Sequence, residues 1–144
     1  MSRILTALAV LTLIFAMTGC NQAKEPPTGM TPVETVQYYF DQWENKNLAG
    51  MNGVCYQKLS ETSYEMFYGL KYVNLNSCRL GDRPDDWDEA WYSNPYAHAV
   101  VDTEFEVYFN PPNSVMANDT YQWRYYLIKE TADSDWRLIM WGAG

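Results

Sequence analysis

The sequence predicts an α+β fold in which N-terminal helices pack on one face of an antiparallel sheet of about four strands. Apolar residues recur at helical spacing in the segment that begins at Thr31. Residues 97–109 instead alternate between apolar and polar side chains, as a half-buried strand does. The last two alternating segments are joined by the polar stretch 131–135, which indicates a hairpin. Helices that precede a run of strands are typical of a sheet covered on one face.

The first helix is predicted to begin after Thr31 and to end at residues 45–47. Threonine is a good N-cap, proline suits the first helical position, and Glu34 completes a capping box. The apolar face of this helix consists of Val33, Val36, Phe40 and Trp43.

Two weaker helical signals follow. The second predicted helix is short and is weakened by Gly50 and Gly53. Its apolar residues are Leu48, Met51 and Cys55. A third helix is predicted to open at residues 60–62, and its aromatic residues are Tyr64, Phe67 and Tyr68.

Four strands are predicted after Gly69. In the first, residues 71–80, one face carries Val73, Leu75 and Ser77, and the other carries Tyr72, Asn74, Asn76 and Cys78. The second strand spans residues 97–109, with its apolar face at the odd positions, and its unusual length predicts a bend or a bulge. Residues 121–129 and 136–141 form the last two strands.

The N-terminus has the pattern of a secretory signal. Arg3 precedes an uncharged run of 14 residues, shorter than the roughly 20 apolar residues of a transmembrane helix. Residues 17–20, Met-Thr-Gly-Cys, resemble the bacterial lipobox, and this resemblance implies cleavage before Cys20 and attachment of lipid to its thiol. The alternative interpretations of this apolar run are a helix of the folded core, a membrane anchor, and a secretory signal that is cleaved at another position. The predicted organisation is a signal peptide at 1–19, a lipidated cysteine with a flexible tether at 20–30, and one domain at 31–144.

The predicted mature chain is strongly acidic. It loses Arg3 of the 10 basic residues and keeps all 18 acidic ones, so the net charge changes from −8 to −9. This balance argues against nucleic acid as a partner, because such binding needs Lys and Arg to neutralise phosphates. Most of the excess lies in residues 82–106, whose acidic loop lacks the spacing of an EF-hand and is interpreted as a solvated loop.

Two segments carry a resemblance to a known fold. They are the capped helix TPVETVQYYFDQWENKNLAGM and the terminal hairpin YYLIKETADSDWRLIMWGAG. Together they resemble the nuclear transport factor 2-like, cystatin-like cone, and in particular small bacterial lipoproteins that carry a domain of unknown function with that fold. The resemblance implies a curved sheet around a helix, with a cavity that relatives use for catalysis or ligand binding. Other relatives dimerise through the sheet, and segment 82–96 is interpreted as an insertion.

The aromatic surplus suggests a binding cavity, although most aromatic residues of a small domain are core. The candidate pocket residues are Tyr38, Trp43, Tyr72, His98, Trp123, Tyr125 and Trp141. His98 is the sole histidine, and Asp102 lies about 13 Å farther along an extended strand, too far for a hydrogen bond. The sequence therefore predicts no catalytic residues, no metal site and no cofactor.

Cys55 and Cys78 remain once Cys20 is assigned to lipid. An even number of cysteines in an extracytoplasmic protein suggests a disulfide, and two unpaired core thiols are the alternative. Spacing alone does not establish the distance between them.

These observations lead to a functional hypothesis. The protein is expected at the cell membrane, on its extracytoplasmic face, held by lipid on Cys20. Its domain is expected to be a non-catalytic module that binds a small ligand or another envelope protein. The alternatives are a cone-cavity enzyme that uses His98 or a carboxylate, and a structural partner of another envelope protein. An exposed sheet face would favour a homodimer.

Overall fold

The computed structural model describes residues 24–60, 65–82 and 94–144. The predicted signal peptide, Cys20, residues 61–64 of the third predicted helix, and most of the acidic insertion lie outside these ranges. The elements in chain order are α1 (Pro32–Glu44), α2 (Leu48–Gly53), β1 (Leu70–Leu80), β2 (Ala97–Phe109), β3 (Asp119–Lys129) and β4 (Arg137–Ala143). Two helices packed against a four-stranded antiparallel sheet confirm the α+β fold class. Within the described ranges, no helix is both long and apolar enough to cross a membrane.

Helix α1 begins and ends where the sequence predicts. The hydroxyl oxygen of Thr31 accepts from the backbone N–H of Glu34 at 3.2 Å, and the Glu34 carboxylate accepts from the Thr31 N–H at 2.7 Å. This reciprocal capping box satisfies two of the backbone donors that a helix N-terminus leaves open. The buried face of the helix consists of Thr35, Val36, Tyr39, Phe40 and Trp43.

The sheet has the order β1-β2-β3-β4, and all neighbours are antiparallel. The β2–β3 ladder runs without interruption from the pair Ala97–Lys129 to the pair Val107–Asp119. The sequence predicts a bend or a bulge in β2. The bulges in this pair of strands lie in β1, which carries two extra residues relative to β2. After α2, Cys55 forms a parallel bridge with Leu138 and so extends the sheet beyond the β4 edge.

One of the β1 bulges changes the predicted faces of this strand. Leu75 pairs with Phe105, but Ser77 pairs with Glu104, so Asn76 is the extra residue. Beyond an inserted residue, the alternation of side chains is shifted by one position. Cys78 therefore faces α1 and is half-buried, whereas Ser77 is exposed on the other side; the sequence analysis had placed both on the wrong face.

The core lies between α1 and one face of the sheet, here called the inner face. Phe105 at its centre is 0% exposed. The fully buried side chains around it include Tyr39, Trp43, Met51, Phe109, Tyr125, Leu127 and Leu138. The opposite, outer face has a much smaller buried cluster, formed by Val100 and Ile128, against which Tyr126 and Ile139 pack.

The C-terminal half of the predicted tether is attached to the domain. The Gly29 N–H donates to the Asp135 carboxylate at 2.8 Å, and Met30 packs against the core. A β-carbon at Gly53 would lie only 3.0 Å from Cδ of Pro26, so the prolyl ring is in close contact with the end of α2. We call residues 26–30 the strap, because they lie against both α2 and the β3–β4 turn.

Candidate functional site

A groove of about 510 Å³ opens between α1 and the inner face of β3 and β4. We call it the aromatic groove. Its lining residues are Tyr39, Trp43, Leu59, Glu65, Met66, Val115, Met116, Ala117, Tyr121, Trp123 and Trp141. The volume lies within the range of small-molecule sites in proteins, which are typically lined by apolar and aromatic side chains with few polar groups.

The walls of the aromatic groove are held in place by ring contacts with the core. The Trp141 ring centroid lies 5.4 Å from that of Tyr39 and 6.0 Å from that of Tyr125, on which it stacks at 18°. Trp123 meets the buried ring of Phe105 edge-on at 5.2 Å. Such aromatic pairs contribute about 0.5–1.5 kcal/mol each beyond burial. The aromatic surface of the groove is therefore preformed.

Asn113 joins the two loops that form the rim of the aromatic groove. Its amide nitrogen donates to the backbone oxygens of Glu65 and Tyr68, at 2.7 and 2.9 Å. Its amide oxygen accepts from the backbone N–H groups of Val115 and Met116, at 2.7 and 3.3 Å. One side chain thus fixes the turn at residues 65–68 against the loop between β2 and β3. The sequence analysis missed this residue, which belongs to the segment Asn110-Pro-Pro-Asn113 that follows β2.

Two polar atoms near the groove are buried and have no hydrogen-bond partner among the described residues. They are the indole nitrogen of Trp43 and the hydroxyl of Tyr125. Burial raises the pKa of the Tyr125 hydroxyl well above its ordinary value, and the nearby Tyr39 raises it further. Unsatisfied buried groups each cost about 1–3 kcal/mol. The Tyr125 hydroxyl therefore stays neutral and is a local source of instability.

The structure brings three of the seven candidate pocket residues together. Trp43, Trp123 and Trp141 line the aromatic groove, and Tyr125 lies beneath Trp141 in the core. The other three lie elsewhere. Tyr38 packs half-buried at the margin of the core, and Tyr72 and His98 belong to the positions that face the outer side of the sheet.

Cys55 and Cys78 are both free thiols in the structure, which is the alternative that the sequence analysis gave to a disulfide between them. Cys55 lies beyond the β4 edge and Cys78 lies on β1, at the other edge. Four strand spacings of about 4.8 Å separate them along the sheet, whereas a disulfide needs Cα atoms within about 7 Å. Burial raises the pKa of Cys55 to about 12 and that of Cys78 to about 11, which keeps both thiols protonated and poorly reactive.

The outer face carries polar pairs instead of a groove. Arg124 Nε donates to the Asp102 carboxylate at 2.8 Å, and Gln122 donates to Glu104 at 3.1 Å. These pairs border a polar hollow of about 290 Å³. A further cleft of about 540 Å³, beside Asp41 and Glu106, is also polar. In the described part of the chain, no group of three or more His, Cys, Asp or Glu residues could hold a metal ion.

A comparison with curated proteins finds no match to the chain. A family profile described as a domain of unknown function, DUF4829, matches residues 33–142. This range contains β1, β2, β3 and the whole aromatic groove, and it lacks only the first residue of α1 and the last residue of β4. Because the match extends over most of the chain, the protein belongs to the DUF4829 family.

Proposed function

We propose that this protein is a lipid-anchored, extracytoplasmic binding module whose aromatic groove holds a small ligand with an apolar or aromatic body. The observation that carries the proposal is the groove itself, a preformed concavity of about 510 Å³. Its lining is mainly tryptophan, tyrosine, methionine and aliphatic side chains. Most of the aromatic residues in the domain are needed for the core, and Tyr39 and Trp43 are fully buried although they line the groove. Tyr121, Trp123 and Trp141 are only half-buried, so part of their surface is not covered by other described side chains.

The nuclear transport factor 2-like cone remains part of this proposal. In that fold a helix covers the concave side of a curved sheet and leaves a cavity at one end. The position of the aromatic groove, between α1 and the inner face, supports the assignment. Fold alone does not determine the ligand, so the proposal rests on the groove and its chemistry.

Binding can be tested with the full chain in lipid nanodiscs, using 4-tert-butylphenol as a neutral aromatic probe. Calorimetry should detect binding to the protein beyond that of empty discs, with a dissociation constant on the order of 0.1–1 mM for so small a ligand. A blocked variant, Ala117→Trp, places a large side chain at the groove wall without removing a core residue. Equal heats for the wild type and the blocked variant would contradict the proposed binding function.

Two further variants refine this experiment. Asn113→Ala removes the hydrogen bonds that join the rim loops, and should weaken binding while leaving the packed core intact. Tyr108→Ala removes an exposed ring from the outer face and should leave binding unchanged. Circular dichroism should show the same fold for both variants.

The proposed anchoring rests on residues 1–20 of the sequence and has a separate test. In bacterial cells, the wild type should sediment with membranes and be digested by protease added outside the cytoplasmic membrane. Cys20→Ala should lose the membrane association, because a diacylglycerol on this thiol supplies the binding energy. Cys78→Ala is the matched control, and its loss from the membrane would contradict the role of Cys20.

A further inference from the structure

The described residues that line the aromatic groove include one negative charge and no positive charge. Among the described residues that line it, Glu65 is the only charged side chain, and no Lys or Arg is present. The remaining lining includes tryptophan and tyrosine rings, and the faces of such rings carry partial negative charge. The net charge of the whole chain, −8, has the same sign. An anionic ligand would therefore meet repulsion at this site.

A cationic group would meet the opposite conditions. An ammonium ion within about 6 Å of a tryptophan or tyrosine ring centroid is attracted to the ring face, and the effect grows as water is removed. Glu65 lines the groove and lies on the turn whose backbone Asn113 fixes at the rim, so its negative charge is near the aromatic wall. A ligand with an aromatic or aliphatic body and a cationic head would match both parts of the site.

We propose that the aromatic groove binds organic cations, in particular ligands with a quaternary ammonium or protonated amine next to an apolar body. This inference rests on the proposed binding function and names its ligand class. Glu65 contributes the charge at the rim, and the tryptophan rings contribute the apolar contact and the attraction to the cation.

The test compares two probes of nearly the same shape. The cation is 4-hydroxy-N,N,N-trimethylanilinium, and its neutral counterpart is 4-tert-butylphenol. Both are titrated into the full chain in nanodiscs of uncharged lipid, and the heats of empty discs and of Ala117→Trp discs are subtracted. The wild type should bind the cation at least about fivefold more tightly than the neutral probe. The difference should shrink as salt is added, because Glu65 is exposed to solvent.

A pair of variants assigns the preference to Glu65. Glu65→Gln should reduce affinity for the cation about two- to fivefold and leave affinity for the neutral probe unchanged. Glu104→Gln makes the same change in net charge on the outer face and should leave both affinities unchanged. An equal loss in both variants would overturn the role of Glu65, because it would show an effect of net charge alone.

The remaining outcomes separate the two proposals. If the neutral probe binds the wild type and the cation binds no more tightly, the cation inference is overturned while the binding function stands. If neither probe distinguishes the wild type from Ala117→Trp and from a second blocked variant, Val115→Trp, both proposals are overturned.

Discussion

The two faces of the sheet differ in chemistry although the same strands form them. On β2, Thr103 and Phe105 point to the inner face and are buried, whereas the intervening Glu104 lies on the outer face and accepts from a glutamine. The inner face is held together by ring contacts, and much of the outer face by exposed hydrogen-bonded pairs. Buried apolar contacts stabilise a protein far more than exposed polar pairs do. Stability should therefore depend on the inner face, and much of the outer face should tolerate substitution.

The largest effect is expected when an inner-face ring is removed. Phe105→Ala deletes a fully buried side chain that contacts the rings of Phe40, Trp43, Tyr121 and Trp123. It should lower the free energy of unfolding by about 3–5 kcal/mol. The adjacent outer-face change Glu104→Ala should stay within about 0.5 kcal/mol. Urea unfolding of both variants measures the contrast, and similar losses would show that the outer face is not tolerant.

The next largest effect on the free energy of unfolding is expected when the pH rises above 9. The pKa of the Cys55 thiol is raised by burial from its ordinary value of 9.0 to about 12. The folded state therefore favours the neutral thiol, and this contribution is complete below pH 9 and is lost as the pH rises towards 12. Over that range the free energy of unfolding should fall by an amount on the order of 4 kcal/mol. Cys55→Ala should decline by less over this range and keep only the smaller part that the Cys78 thiol contributes, because the pKa of Cys78 is also raised, to about 11. An unchanged profile would contradict the assignment of the decline to Cys55.

A smaller effect, an increase in the free energy of unfolding, is expected at Tyr125. Its hydroxyl is buried with no partner among the described residues, so Tyr125→Phe removes an unsatisfied group and keeps the ring that stacks on Trp141. The free energy of unfolding should rise by about 1 kcal/mol. Thermal unfolding followed by circular dichroism measures it. A clear loss of stability would mean that the hydroxyl has a partner in solution.

The smallest effect is expected for the outer-face ion pair. Asp102 and Arg124 are both about 30% exposed, and their side chains meet at 2.8 Å. A double-mutant cycle with Asp102→Ala and Arg124→Ala should give a coupling energy of about 0.2–1 kcal/mol that decreases with salt. A coupling above 2 kcal/mol would show that this pair is shielded from water in solution.

The sequence predicts the elements of this fold well, because the signals for α1 and β2 are local. A capping box and an alternating run of thirteen residues need no tertiary information. The face of Cys78 could not be predicted, because the segment around Asn76 has no pattern that distinguishes a bulge from regular pairing.

The residues of the candidate site also include some that the sequence predicts and some that it does not. The three tryptophans of the aromatic groove follow from their positions on elements that the sequence identifies. Tyr72 and His98 were grouped with them, although alternation puts them on the other side of the sheet. Glu65 and Asn113 were missed because they lie on loops that meet only in the folded chain.

Because the strap attaches residues 26–30 to the domain, it limits how far the domain can move from a membrane anchor and therefore which local ligand concentration the domain meets. With lipid on Cys20 as proposed, the chain from Cys20 to Pro26 can span about 21 Å at most. The domain is then confined to a thin layer of solution next to the bilayer. Organic cations accumulate in such a layer when the lipids are anionic. A weak binding site can therefore be occupied at the membrane while the same solute is dilute in the surrounding medium.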